Sequence, residues 1–122
     1  ATINASMEEA TERVTSALKE EGFGIVTEMN MDKTLHEKLG KTMKPYRILG
    51  ACNAKFAWQA LQEEENIGLF LPCKVILKKL DDQQVEVVAV NPSRMMKISG
   101  NKELNNIASE VGKRFLRALQ NL

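Results

Sequence analysis

Apolar residues near the start of the chain recur at the spacing of one helix face, at Met7, Ala10, Val14, Ala17 and Leu18. Ser6 and Glu9 open this run in the pattern of a capping box, whose side chains satisfy backbone N–H groups at a helix start. Gly22 is a typical residue for the end of such a helix. The pattern therefore predicts a helix from near Met7 to just before Gly22.

From Phe23 onward the apolar period changes to two, which predicts a half-buried strand. Its apolar side carries Phe23, Ile25, Thr27, Met29 and Met31. A short helix should follow, from a cap at Asp32 to a stop at Gly40. The next apolar run, "YRILGAC" at 46–52, shows no clean alternation, which predicts a central strand that is buried on both faces.

The second half of the chain predicts two more helices and a β-hairpin. Asn53 is a good N-cap for a helix over "AKFAWQALQEEE", and the glutamates at its end oppose the helix dipole and favour termination there. Two alternating runs around "DDQQ" predict the hairpin, with inward residues Cys73, Val75, Leu77, Val85, Val87 and Ala89. "NPSRMMKISGN" predicts a turn and a short helical piece.

The longest helical stripe lies at the C-terminus, at Leu104, Ile107, Ala108, Val111, Phe115, Ala118, Leu119 and Leu122. Together the elements predict an α+β fold, with helices packed on one face of a largely antiparallel sheet and a long C-terminal helix. The 122 residues match one domain, 1–122. At this length the core needs neither a metal nor a disulfide for ordinary stability.

Charge and hydropathy exclude several classes of function. The formal net charge is +1 and the charges are interleaved, so the chain lacks the basic stripe of a nucleic-acid-binding protein. No apolar run approaches the roughly 18 residues of a membrane span. Two cysteines are too few for a disulfide scaffold, so the expected compartment is the cytoplasm. A processed, exported form stays open because the sequence begins at Ala1.

Residues with obvious catalytic or ligand chemistry are few. His36 is the only histidine, and with the two cysteines it gives three ligands, one fewer than a structural zinc site needs. The glycines form no phosphate-loop or dinucleotide motif. We therefore predict no metal and no cofactor. The sequence identifies no catalytic residue and leaves open whether the protein is an enzyme.

Cys52 and Cys73 are the best local candidates for a site, because both lie at predicted strand boundaries. Cys52 precedes a predicted helix N-terminus, whose partial positive charge favours a thiolate, whereas Cys73 begins a core strand, where burial favours the neutral thiol. We expect the two thiols to be near neighbours, reduced, with Cys52 the more reactive. Core packing, a common role for free cysteine, is the competing interpretation.

Three segments resemble a known family, catalogued as domain of unknown function 302: "EEGFGIVTEMNMDKTLHEKLG", "PYRILGACN" and "QALQEEENIGLFLPCKV". The similarity runs from about Met7 to Leu122. It implies a small α+β fold with a curved antiparallel sheet, similar to the TATA-binding-protein-like class, and a homodimer. No biochemical activity is established for that family.

The recurrent Cys-Asn and Pro-Cys blocks of that family correspond here to Cys52, Asn53, Pro72 and Cys73, which implies a shared pocket. Three positions depart from the family pattern. Ala54 lies where the family commonly has Pro, Trp58 where it commonly has His, and Asn91 where it commonly has Asp. An indole cannot accept a proton or bind a metal as an imidazole does, so chemistry that uses this His is not carried over.

Two functions follow as hypotheses. The first is a dimeric module that binds a small-molecule ligand or partner in a pocket near Cys52 and Cys73. The alternative is a thiol-dependent redox or sulfur-handling enzyme or sensor that uses the same two residues. A homodimer is also favoured by apolar residues on strand faces opposite the predicted core, namely Val26, Ile76, Val88 and Val90.

Overall fold

The computed structural model describes residues 1–96 and 100–122. Within these residues one antiparallel sheet is formed by β1 (Thr2–Asn4), β2 (Gly24–Asn30), β3 (Tyr46–Cys52), β4 (Cys73–Lys79) and β5 (Gln84–Ala89). The helices are α1 (Met7–Glu20), α2 (Met31–Leu39), α3 (Ala54–Glu63), a 3₁₀ helix (Glu65–Phe70), α4 (Pro92–Met96) and α5 (Lys102–Gln120). The strand order is β1-β5-β4-β3-β2, so β1 and β2 form the two edges. The predicted α+β class and largely antiparallel sheet are confirmed.

The main core lies between one face of the sheet and helices α1 and α5. Helix α1 begins as predicted, because the Ser6 hydroxyl oxygen accepts a hydrogen bond from the backbone N–H of Glu9 at 3.1 Å. The rings of Phe23 and Phe115 stack with centroids 4.7 Å apart and join the start of β2 to α5. The predicted C-terminal helix is therefore a main element of the core.

Strand β2 is less buried than its sequence pattern predicts. The register shifts between Ile25 and Thr27, which leaves Val26 in a bulge and reverses the faces that follow. Met29 then lies on the open face of the sheet, opposite Ile48. Because β2 is an edge strand, most of its residues are exposed.

Strand β3 is an interior strand, as predicted, but the helices cover only one of its faces. Arg47, Leu49 and Ala51 point towards the helices and are buried. Tyr46 and Ile48 point to the other face and are half-buried. The missing alternation in the sequence comes partly from an arginine at an inward position, where an apolar residue is usual.

Arg47 is buried because polar groups of two elements, α1 and β2, surround its guanidinium group. Its Nη1 donates to Thr11 Oγ1 at 2.7 Å, its Nη2 to Glu8 Oε1 at 3.2 Å, and its Nε to Asn30 Oδ1 at 2.8 Å. Glu28 adds an ion pair at 3.2 Å. These bonds compensate the loss of hydration and tie α1 to the end of β2.

The helices of the described residues are amphipathic or short. None of them is long and apolar enough to cross a membrane. Part of the predicted helical piece in "NPSRMMKISGN" is present as α4, whereas positions 97–99 of that segment lie outside the described residues. Strand β1 and the 3₁₀ helix have no counterpart among the predicted elements.

Candidate functional site

A small cavity of about 30 Å³ lies where β3 ends and β4 begins, under helices α3 and α5. Ala51 pairs directly with Cys73, so Cys52 is the next residue along β3 beyond this pair. The wall includes Phe23, Cys52, Asn53, Phe56, Ala57, Leu71, Cys73, Ile107 and Val111. The structure thus places both cysteines and Asn53 on one largely apolar wall.

The two thiols differ in their surroundings. Cys73 is buried and Cys52 is half-buried, and no disulfide joins them. Burial, together with the neighbouring Cys52, raises the pKa of the Cys73 thiol to about 11. Cys73 is therefore a neutral thiol at neutral pH, as its place on the inward side of β4 predicts.

Asn53 forms the corner between β3 and α3. Its Oδ1 accepts a hydrogen bond from the backbone N–H of Phe56 at 3.2 Å, which is the predicted N-cap. Its amide nitrogen lies close to Gly22, where an added Cβ would come within 2.7 Å of it. Gly22 has a φ of 89°, so a glycine is needed there both for the turn after α1 and for the approach of Asn53.

Pro72 is outside the cavity wall and packs on the neighbouring strand. An added Cβ at Gly50 would lie 2.5 Å from Pro72 Cγ and would also overlap the Thr27 hydroxyl. Gly50 therefore leaves the space that the proline ring fills. Because Pro72 directly precedes Cys73, this contact fixes the start of β4 and the position of the Cys73 thiol.

Arg114 on α5 stacks on Phe56, a residue of the cavity wall, and the sequence did not reveal this contact. Its guanidinium carbon lies 4.9 Å from the centroid of the Phe56 ring. Its Nη1 donates to the backbone oxygen of Glu21 at 3.1 Å, and its Nε to Glu110 Oε1 at 3.2 Å. The spacing of Glu110 and Arg114 is readable as an i, i+4 pair, but the contact with Phe56 depends on tertiary packing.

The remaining candidate residues lie away from the cavity. His36 is exposed on α2, and residues 1–96 and 100–122 contain no group of three or more His, Cys, Asp or Glu that could hold a metal ion. Trp58 is exposed on α3, and Asn91 accepts a hydrogen bond from the backbone N–H of Ser93 at 3.1 Å. With Ala54 also exposed, the three positions that depart from the family pattern do not line the cavity.

Known proteins share the fold of this chain. A crystal structure of an uncharacterized conserved protein DUF302 from Bacillus stearothermophilus is similar to this chain with a TM-score of 0.90 and 28% sequence identity. The match covers 99% of this chain and 94% of that one. No curated protein matches the chain. The family model described as "Domain of unknown function DUF302" matches residues 1–122, and the chain therefore belongs to the DUF302 family.

Proposed function

We propose that this protein is a binding module for a small, apolar, uncharged ligand, held in the cavity between the β3–β4 junction, α3 and α5. The observation that carries the proposal is the composition of the wall, which is apolar apart from two thiols and the side chain of Asn53. Apolar pockets with a few convergent polar groups are the usual form of small-molecule sites.

The charges around the cavity favour an uncharged ligand. Cys73 stays protonated at neutral pH because its pKa is raised to about 11. Arg114, the cation that stacks on the wall residue Phe56, already bonds to Glu110 and to the backbone oxygen of Glu21. An anionic ligand would have to replace these contacts, whereas an apolar ligand gains by leaving water.

The size of the cavity limits what binds without rearrangement. About 30 Å³ corresponds to the space of roughly two water molecules. A longer ligand has to displace part of the wall, and Phe56 and Leu71 are half-buried side chains at its outer side. We expect affinity to rise with ligand length until the free-energy cost of displacing the wall exceeds the free energy gained from the added apolar burial.

A titration with short n-alkanols, from methanol to hexanol, tests the proposal by amide NMR shifts. We expect shifts at Cys52, Phe56 and Ile107, with a gain of up to about 0.8 kcal/mol per added CH₂ over the first members. Ala57→Leu fills the cavity from α3 and should abolish them. Ala54→Leu adds the same atoms on the exposed side of α3 and serves as the control. Shifts that persist unchanged in Ala57→Leu would place the binding elsewhere.

A thiol-dependent redox function is the second candidate, because the two free cysteines face the same cavity. In the simplest step, a peroxide oxidises the Cys52 thiol to a sulfenic acid and is itself reduced to one molecule of water or alcohol. The Cys73 sulfur then attacks the sulfur of that sulfenic acid and forms a disulfide. The hydroxyl group leaves with the thiol proton as water. The geometry of the disulfide requires the two Cα atoms to approach within about 7 Å.

Stoichiometric hydrogen peroxide distinguishes this second candidate from ligand binding. A redox pair should lose two thiols per peroxide and gain an intramolecular disulfide, detected as a loss of about 2 Da by intact mass. Cys73→Ser should stop at the sulfenic acid on Cys52. Oxidation of Cys52 without a disulfide in the unsubstituted protein would contradict the redox function and leave ligand binding in place.

We also propose that the chain forms a homodimer, since large apolar side chains remain exposed. Leu39 is 67%, Trp58 66% and Leu69 84% exposed. A row of four further apolar side chains, partly exposed, crosses the open face of the sheet in register: Met29, Ile48, Ile76 and Val88. Val90, in contrast, packs against the core and gives no support to an interface. Light scattering at micromolar concentration should return twice the chain mass of 13.7 kDa, and a constant 13.7 kDa would contradict the dimer.

A further inference from the structure

The acidic apolar corner, which we define as residues 58–70, exposes large side chains where α3 passes into the 3₁₀ helix. Trp58 is 66% exposed and Leu69 is 84% exposed, and Leu61 and Phe70 are also exposed. Glu63, Glu64 and Glu65 follow one another in the same corner. Exposed aromatic and aliphatic groups beside charges of one sign are typical of a protein-binding surface.

The basic apolar segment, defined as residues 33–44, has the complementary composition. Leu39 is 67% exposed, and Met43, in the same segment, is 40% exposed. Lys33, Lys38 and Lys41 are exposed in the same segment. The chain therefore carries an acidic and a basic surface, each with exposed apolar side chains.

The chain connects the two surfaces to opposite ends of the edge strand β2. Asn30, its last residue, leads directly into α2 and the basic apolar segment. Gly24, its first residue, pairs with Cys52, which is followed by Asn53 and α3. A two-fold axis beside β2 would set two copies of this strand antiparallel and bring each corner towards the other copy's segment.

We propose that the acidic apolar corner of one copy docks on the basic apolar segment of a second copy, in a closed two-fold dimer beside β2. This inference rests on the proposed homodimer and names its surface. The same contact is then made twice, as a two-fold interface requires. Opposite charges orient the two copies, and the apolar side chains supply the buried area.

The open face of the sheet is a weaker candidate for the same role. Lys78 and Glu86 lie one row away from the apolar residues of that face, and they form an ion pair with each other at 2.7 Å. Their charges are thus matched within one chain. The corner and the basic segment, in contrast, carry exposed charges of opposite sign that a second copy can match.

Two charge-reversal variants of the full chain test the proposed surface by analytical ultracentrifugation. The corner variant is Glu63→Lys with Glu65→Lys, which retains Glu64, whose side chain caps the 3₁₀ helix. The segment variant is Lys38→Glu with Lys41→Glu. We expect each variant alone to dimerise at least about tenfold more weakly, because both of its contacts then join like charges. Circular dichroism checks that each variant is folded.

An equal mixture of the two variants gives the decisive result. The lysines of the corner variant then meet the glutamates of the segment variant, and the unchanged surfaces meet each other, so dimers should return. Ile76→Lys on the open face serves as the control and should leave the dimer intact. If the unsubstituted chain is a dimer and the variants dimerise equally well, or if only Ile76→Lys weakens it, the proposed surface is wrong and the homodimer stands. An unsubstituted chain that stays monomeric contradicts both.

Discussion

Two cysteines on one wall experience different surroundings, and most of that difference follows from sequence position. Cys73 is the first inward residue of β4, so alternation alone predicts its burial. Asn53 is predictable as a cap because its side chain satisfies a local backbone N–H. Arg114 over Phe56 and the buried Arg47 are not predictable in this way, since each depends on partners that are distant in sequence.

The raised pKa of Cys73 should make stability fall at high pH. The thiol of the unfolded chain loses its proton near its ordinary value of 9.0, whereas the folded chain keeps it to about 11. Between these values the folded state binds more protons. The contribution of this proton to stability is therefore fully present below pH 9. As pH rises to about 11, the free energy of unfolding falls by up to about 3 kcal/mol.

Urea unfolding at pH 8 and pH 11 measures this loss. Because alkaline pH also acts on the protein through groups other than Cys73, the relevant quantity is the difference between the unsubstituted protein and Cys73→Ala. We expect the variant to lose less stability between the two pH values, while Cys52→Ala keeps most of the dependence. Equal pH dependence in the unsubstituted protein and Cys73→Ala would contradict the raised pKa.

The same asymmetry predicts an order of alkylation. Cys52 is half-buried and Cys73 is buried and protonated, so iodoacetamide at pH 7.5 should modify Cys52 first. Mass spectrometry of the folded protein, with each cysteine separately replaced by Ser, gives the two rates. Equal protection of both thiols, or faster labelling of Cys73, would contradict this order and indicate that the two cysteines serve only to pack the core.

At the level of elements, the junction of β3 and β4 depends on a glycine that sequence periodicity does not explain. Gly50 is buried under Pro72, and a Cβ there would overlap the Pro72 ring and the Thr27 hydroxyl. Gly50→Ala should therefore destabilise the fold by about 1–3 kcal/mol and displace the start of β4.

Gly24→Ala provides the matched control for that substitution. Gly24 also lies in a strand, but nothing approaches within 4 Å of its added Cβ. We expect a change within about 0.5 kcal/mol in urea unfolding, or a slight gain from reduced freedom of the unfolded chain. Similar losses for both substitutions would show that strand propensity, and not the contact with Pro72, sets the cost.

Most elements could be predicted from the sequence because their signals are local, whereas their burial could not. Helix α5 has a long apolar stripe, and the predicted hairpin became β4 and β5. In β2 the apolar alternation suggested a half-buried strand, but a bulge and an edge position left it mostly exposed. Bulges and strand order depend on pairing partners, which periodicity within one strand does not encode.

For the whole molecule, the arrangement of layers explains where a site can form. Helices cover one face of the sheet. Helices α3 and α5 meet over the end of β3 and the start of β4. Small side chains such as Ala57, Ala60 and Ala108 leave the space between them. The family blocks around Cys52 and Cys73 indicated this region, but the helices that close it became apparent only from the assembled fold.

A crystal structure of the protein pressurised with xenon tests most directly whether this cavity accepts an apolar guest. Xenon is uncharged, makes no hydrogen bonds and occupies apolar cavities that water leaves dry. We predict a xenon peak within van der Waals distance of Cys52, Cys73 and Phe56, and no peak there in Ala57→Leu. Ordered xenon elsewhere in the molecule, with side chains filling the space between the two thiols, would contradict the proposed site.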